Sequence, residues 1–241
     1  MSLAAIWIRS GFSERCVLAG LAMFTVTMFG FVINDILDFE KDAAAGVQRP
    51  IATGAISSQT ALVFAGFLLV GGCWLSAAVG SGGSVLTLAV LALVLYTPSA
   101  RRMPLLKGLY VAGLCMAPLY YASVVGHTNF SGAAYVLLAL FVLGREILMD
   151  AHEIAGDRQA GLRTVAEALG PSNTRRLGAA MMIASLAWLN FVAPGILGKT
   201  LAILSLASLV FVLYWPIRDE ERRIAFTRLP MLAAAIALVS K

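Results

Sequence analysis

The sequence predicts an all-α fold, a polytopic transmembrane helical bundle that forms one domain over residues 1–241. Of its residues, 60% are hydrophobic and 13% are charged, and the mean hydropathy is +0.86. Soluble proteins carry about 25% charged residues. Apolar runs long enough to cross a bilayer recur along the whole chain. Because backbone groups in lipid must satisfy one another, those runs are expected to be helices.

The apolar runs predict about eight spans, packed as two pseudo-repeated halves around a central cavity. They lie near 16–36, 60–79, 84–98, 105–126, 132–149, 177–196, 199–216 and 228–240. The last run crosses only if the bilayer thins or the helix tilts. Residues 1–12 are apolar but short, which indicates an interfacial stub or the remnant of a further helix.

Charge patterning predicts the orientation of the bundle. The segments 38–58, 99–107, 145–176 and 217–228 are charged, whereas the alternate loops are nearly neutral. Of the 18 Lys and Arg, only Arg9, Arg15, Lys199 and Lys241 lie outside the charged segments. By the positive-inside rule, the charged segments face the cytoplasm. The net charge of +5 therefore reflects membrane topology and predicts no nucleic-acid partner.

The cysteines indicate neither a disulfide framework nor a zinc site. Cys16, Cys73 and Cys115 lie singly in apolar stretches, without a CxxC pair. An odd number at wide spacing is typical of buried thiols.

Two acidic clusters with the same spacing carry the functional argument. The carboxylates fall at i, i+3 and i+7, one face of a helix, and each cluster follows an apolar run. The first cluster consists of Asp35, Asp38 and Asp42, and the second of Asp150, Glu153 and Asp157. Both lie on the charged side, where they can share one site. Gly46 and Gly161 extend the match, which indicates an internal duplication with the site between its halves.

Carboxylates on one face repel each other, so a divalent cation is the expected reason for the clusters. Magnesium is commonly bound through one or two carboxylates together with substrate phosphates. Asn34 offers a further oxygen ligand or a hydrogen bond to phosphate. Four cations on the charged side could complete a phosphate site: Arg49, Arg101, Arg102 and Lys107. Lys107 is interpreted mainly as an interfacial residue whose stem lies along the lipid.

A diphosphate head at this interface implies an apolar tail in the membrane. Aromatic side chains near the interface, such as Phe31, Tyr96 and Tyr110, could shield a developing carbocation by cation–π attraction.

At these residues the sequence resembles the UbiA superfamily of intramembrane prenyltransferases. The first signature is Asn34-Asp35-x-x-Asp38-x-x-x-Asp42, followed by Arg49-Pro50-Ile51. The second is Arg145-Glu146-x-x-x-Asp150-x-x-Glu153-x-x-Gly156-Asp157. The order of the pair and its place on one membrane face make the resemblance specific.

The resemblance implies about nine helices around a cavity and Mg²⁺-dependent transfer of a prenyl group from an isoprenyl diphosphate to an acceptor. It implies that Asp35, Asp38, Asp42, Asp150, Glu153 and Asp157 are catalytic metal ligands. The resemblance also places Asn34 in the first metal–diphosphate set and matches Arg49 to the family's arginine before its proline. With Tyr96 and the charged-side residues Arg101 and Arg102, these form the expected diphosphate-binding set.

Two departures from the family pattern affect these expectations. The family usually carries Tyr-x-x-x-Lys after the third span present here, and its lysine contacts diphosphate. Here Tyr96 is present, but Ala100 stands at the position of the family's lysine. Arg101 and Arg102 follow it, and one of them could supply the missing charge. The chain is also short relative to the family, and we expect most of the family's first helix to be missing, which bears on the cavity wall and the acceptor site.

Two other functions stay open at this point. A membrane terpene cyclase would use the same diphosphate site without an acceptor, and the missing lysine is compatible with it. A divalent-cation transporter would need carboxylates deep in the spans, whereas these gather at one end. The sequence leaves the acceptor open among quinone precursors, glycerol-phosphate lipids, tetrapyrroles and sugar phosphates.

Overall fold

The computed structural model describes residues 13–44, 46, 48–103, 106–159, 164–214 and 220–239, and these residues form helices without a strand. The predicted stub at 1–12 and Gly161 lie outside the described residues. The helices are α1 (Glu14–Leu37), α2 (Phe39–Ala44), α3 (Ser58–Val79), α4 (Gly83–Arg102), α5 (Lys107–Val125), α6 (Gly132–Gln159), α7 (Val165–Leu169), α8 (Pro171–Val192), α9 (Gly195–Tyr214), α10 (Glu220–Phe226) and α11 (Arg228–Val239).

Each of the eight predicted spans coincides with one helix, the last of them, α11, only 12 residues long, so the all-α transmembrane bundle is confirmed. Within the described residues, α1, α3, α5, α9 and most of α6 are long and apolar enough to cross a membrane. Shorter apolar stretches lie in α4 and at the end of the chain. The division into two halves around a central cavity stays a prediction.

Helix ends differ from the predicted ones where local chemistry overrides hydropathy. The predicted boundary between the sixth and seventh spans, at 196–199, is wrong, because α8 ends at Val192 and α9 begins at Gly195. Ala193 adopts an extended backbone, as expected of a residue that precedes a proline, here Pro194. In the other direction, α6 continues to Gln159, so the second acidic cluster is wholly helical rather than part of a loop.

The helices pack in chain order. Helix α1 lies against α3 and α4, α4 against α5, α5 against α6, α6 against α8, α8 against α9, and α9 against α11. Two buried clusters result, one centred on α1, α4, α5 and α6 and the other on α6, α8, α9 and α11. Helix α6 belongs to both, so its position determines where the second acidic cluster lies.

Close backbone contact fixes α6 against α8. A Cβ on Gly144 would lie 2.7 Å from the carbonyl oxygen of Gly178, and one on Gly178 would lie 2.6 Å from that of Gly144. Only glycine permits this approach. Deeper in the bundle, the buried Ser185 hydroxyl donates to the carbonyl oxygen of Leu137 at 2.7 Å.

The cysteines are free thiols, as predicted, but not all of them are buried. Cys16 is buried, Cys115 is half-buried and Cys73 is exposed. Cys73 lines an open groove between α3 and α4, which leaves its thiol exposed. The prediction of burial is therefore wrong for Cys73.

Candidate diphosphate and metal site

The first acidic cluster lies at the junction of α1 and α2. The helix breaks at Asp38, but the hydrogen bonds continue in the helical register. The amide of Asp38 donates to Asn34 at 2.8 Å, and the amide of Asp42 donates to Asp38 at 2.8 Å. Asp35, Asp38 and Asp42 therefore keep the helical order that their spacing predicts.

Arg49 connects two carboxylates of this cluster. Its Nη1 atom donates to Asp42 Oδ2 at 2.8 Å and to Asp35 Oδ1 at 3.1 Å. Asp42 is only 6% exposed, whereas the Arg49 side chain is 41% exposed. The guanidinium thus neutralises the cluster from its solvent side, and part of it stays accessible to an incoming anion.

The second acidic cluster forms a stripe along the last turns of α6. Asp150 and Asp157 are 5% and 2% exposed, and Glu153 is half-buried. Buried carboxylates are costly unless a cation or hydrogen bonds compensate them. The stripe therefore requires a positive partner.

Lys107, the first residue of α5, is that partner. Its Nζ atom donates to Asp150 Oδ1 at 3.1 Å and lies 3.6 Å from Glu153 Oε2. Its side chain is 17% exposed. The interpretation of Lys107 as an interfacial residue is wrong, because its ammonium turns into the protein toward the acidic stripe. Hydropathy at a span boundary cannot distinguish these directions, since both place the stem along apolar surface.

Glu146 is a further carboxylate that the predicted site did not include. It lies one turn before Asp150, is 6% exposed and accepts a hydrogen bond from Arg145 at 3.0 Å. Lys107 and Glu146 also interact electrostatically. The helical spacing of Glu146, Asp150, Glu153 and Asp157 was the available signal, because it continues the stripe by one turn.

Tyr96 lies within electrostatic range of both clusters. It interacts electrostatically with Asp38 of the first cluster and with Lys107 and Glu153 beside the second. Its ring packs against Tyr110 with centroids 5.7 Å apart and the planes tilted by 49°. The Tyr110 hydroxyl donates to the carbonyl oxygen of Ala92 at 2.7 Å, which ties α5 to α4. Tyr96 is therefore within electrostatic range of both acidic sets, near the point where α4 is tied to α5.

Arg101 and Arg102 lie in the last turn of α4. Their side chains fall outside the described part of the chain, so their phosphate contacts stay predictions. The described cation closest to the second cluster is Lys107, whose ammonium contacts Asp150.

The donor set suits Mg²⁺. Among the described residues, no three His, Cys, Asp or Glu side chains come close enough to hold a metal without other ligands. Magnesium is usually bound by one or two carboxylates plus phosphate and water. Asp150 and Glu153 already direct one oxygen each toward a single cation, the Lys107 ammonium. The arrangement thus fits a metal that requires the substrate's phosphates to complete its coordination.

Comparison with known proteins gives a family match over almost the whole chain. A profile of the UbiA prenyltransferase family matches residues 1–234. The digeranylgeranylglyceryl phosphate synthase of Haloquadratum walsbyi is 31% identical over 181 residues, which are 73% of this chain and 63% of that protein. The chain thus spans less than two thirds of the length of this relative.

Solved structures show the same fold. The apo UbiA homolog of Aeropyrum pernix matches with a TM-score of 0.77 and 19% identity, over 99% of this chain and 95% of that one. The UbiA homolog of Archaeoglobus fulgidus, bound to DMAPP and Mg²⁺, matches with a TM-score of 0.67 and 17% identity, over 98% and 92% of the two chains.

Proposed function

The chain belongs to the UbiA prenyltransferase family, and we propose that it transfers a prenyl group from an isoprenyl diphosphate to an acceptor in a Mg²⁺-dependent reaction. The observation that supports this proposal best is the presence of two acidic sets, each paired with a basic side chain, with Tyr96 within electrostatic range of both. A structure of a relative with the same fold holds DMAPP and Mg²⁺. A site of this kind suits a diphosphate, because its carboxylates can share cations with phosphate oxygens.

The proposed metal ligands are the carboxylates of both clusters, while neighbouring residues hold the diphosphate. The metal ligands are Asp35, Asp38, Asp42, Asp150, Glu153 and Asp157. Asn34 adds an amide group, and the diphosphate contacts come from Arg49, Tyr96, Arg101 and Arg102. Bound Mg²⁺ supplies Lewis-acid stabilisation of the negative charge that develops on the departing diphosphate.

The chain's own contribution is to position and shield the donor. Arg49 and Tyr96 orient the diphosphate at the interface, so that the prenyl tail extends between the helices. The C1–O bond then breaks, diphosphate leaves with the electron pair, and a nucleophilic atom of the acceptor attacks the allylic carbon. Loss of a proton from the acceptor completes the product. The segments that flank the site would exclude water, which otherwise quenches the cation.

A glycerol-phosphate lipid is the proposed class of acceptor. The relative from Haloquadratum walsbyi is named digeranylgeranylglyceryl phosphate synthase. An acceptor of this class would carry a phosphate to the same interface as the donor head. The cations on the charged side of the bundle are suited to both anions. The active-site face is proposed to be cytoplasmic, on the strength of the positive-inside rule.

The test is a reaction of purified protein in lipid nanodiscs with Mg²⁺, geranylgeranyl diphosphate and a panel of acceptors, read by mass spectrometry. The expected result is a prenyl ether of a glycerol-phosphate lipid, together with released diphosphate, and no product in EDTA. A cyclised hydrocarbon from the donor alone would support the terpene cyclase instead. Ion flux in liposomes without any prenyl product would support the transporter.

A further inference from the structure

The Lys107 ammonium lies among the carboxylates of the second acidic set, and close packing of the start of α5 on α6 holds it there. Its neighbour Gly108 packs so closely on α6 that a Cβ there would lie 2.9 Å from Leu143 and 3.4 Å from Glu146. The start of α5 is therefore held against the acidic stripe. The Lys107 ammonium lies 3.1 Å from Asp150 and 3.6 Å from Glu153.

These two carboxylates are also among the proposed metal ligands. An ammonium and a Mg²⁺ ion cannot both occupy the space between them, because the two cations would repel each other at contact distance. The carboxylates are also too few to bring a metal out of water on their own, since Mg²⁺ loses its hydration shell reluctantly. Metal binding at this set must therefore displace the ammonium, and the ammonium then needs another anion.

We propose that Lys107 is the resident counter-ion of the second acidic set and gives up Asp150 and Glu153 to Mg²⁺ only when a diphosphate arrives to accept its ammonium. The inference rests on the proposed function. It assigns Lys107 two successive partners, first the carboxylates and then the diphosphate. Lysine suits this exchange, because its charge is a compact group on a flexible four-carbon stem.

Tyr96 lies within electrostatic range of Lys107 and of the first cluster, so a displaced ammonium has a polar neighbour on that side. Lys107 and Tyr96 interact electrostatically, and Tyr96 also interacts with Asp38 of the first cluster. An ammonium that leaves Asp150 toward Tyr96 moves into the region between the two acidic sets, where the diphosphate is proposed to bind. Metal and diphosphate would then bind cooperatively, and the site would bind metal weakly without substrate.

The experiment measures Mn²⁺ affinity by electron paramagnetic resonance, with and without geranyl thiodiphosphate as an unreactive donor analogue. In the wild-type protein, we expect the analogue to tighten Mn²⁺ binding by about tenfold or more. In Lys107→Met, Mn²⁺ should bind more tightly without the analogue, because no ammonium competes for the carboxylates. The analogue should then have little further effect on Mn²⁺ affinity.

Two variants control this comparison. Lys199→Met removes the same charge from an exposed position on α9 and should keep wild-type coupling. Lys107→Arg keeps the positive charge and should retain coupling that Lys107→Met loses. If Lys107→Met aggregates on size exclusion, Lys107→Gln replaces it in the experiment. Glutamine also removes the positive charge, but its amide can still donate to a carboxylate and so preserve the packing.

Three outcomes would overturn the inference, and they differ in their consequence for the proposed function. If wild-type protein binds Mn²⁺ cooperatively with the analogue and the Lys107 variants keep that coupling, only the role of Lys107 is lost. If wild-type protein binds no Mn²⁺ even with the analogue present, the proposed metal site fails as well. Weaker Mn²⁺ binding by Lys107→Met alone would also contradict the inference, because it would make the lysine a support of the metal site rather than a competitor.

Discussion

Arg49 donates a 2.8 Å hydrogen bond to Asp42, and this contact ties the segment after α2 to the first acidic cluster. The same Nη1 atom reaches Asp35 at 3.1 Å. Its remaining donors stay available for a phosphate, because the side chain is partly exposed. Arg49 thus has a structural role at the cluster and a position suited to substrate binding.

We expect Arg49→Lys to lower the rate of diphosphate release by about 10- to 100-fold, the range typical of residues that orient metal ligands. A lysine lacks the planar fork that can contact a carboxylate and a phosphate together. Steady-state kinetics with varied donor concentration would check this, with thermal unfolding to exclude misfolding. Wild-type kinetics in Arg49→Lys would show that only a positive charge is required.

The buried carboxylate of Asp157 provides a second prediction. Asp157→Asn keeps the size of the side chain but removes the charge of a proposed metal ligand. If this carboxylate stabilises the transition state, the rate of diphosphate release should fall by about 100-fold or more. Asp38→Ala should do the same from the first cluster. Glu167→Gln, which removes an exposed charge on α7, is the matched control and should react at the wild-type rate. Full turnover by Asp157→Asn would remove its proposed role.

Helix packing gives a prediction that is independent of chemistry. Gly178→Ala places a methyl group against the backbone of α6, where the carbonyl oxygen of Gly144 lies 2.6 Å from the new Cβ. Overpacking of this kind costs about 1–3 kcal/mol, so the melting temperature in detergent should fall.

The control for this substitution is Gly66→Ala in α3. A Cβ at Gly66 meets no atom within 4 Å, and replacing glycine inside a helix usually raises stability by roughly 0.5–1 kcal/mol. Equal melting temperatures for the two variants would show that α6 and α8 can separate without cost.

Much of the fold could be predicted from hydropathy, because a helix in lipid must carry a long apolar run. The acidic clusters could be predicted as well, since their spacing depends only on helical geometry. The partner of Asp150 could not be predicted, because Lys107 lies 43 residues earlier in the chain and reaches Asp150 only through the packing of α5 against α6. The end of α8 depends on Pro194, a local effect that overrides the apolar run on either side of it.

The central claim is that both acidic sets hold one diphosphate through shared metal ions. Anomalous scattering from crystals grown with Mn²⁺ and geranyl thiodiphosphate tests it most directly. The account predicts Mn²⁺ peaks that bridge one diphosphate to carboxylates of both sets, including Asp38 or Asp42 and Asp150 or Asp157. Mn²⁺ bound at one set alone, or a diphosphate distant from both sets, would contradict it.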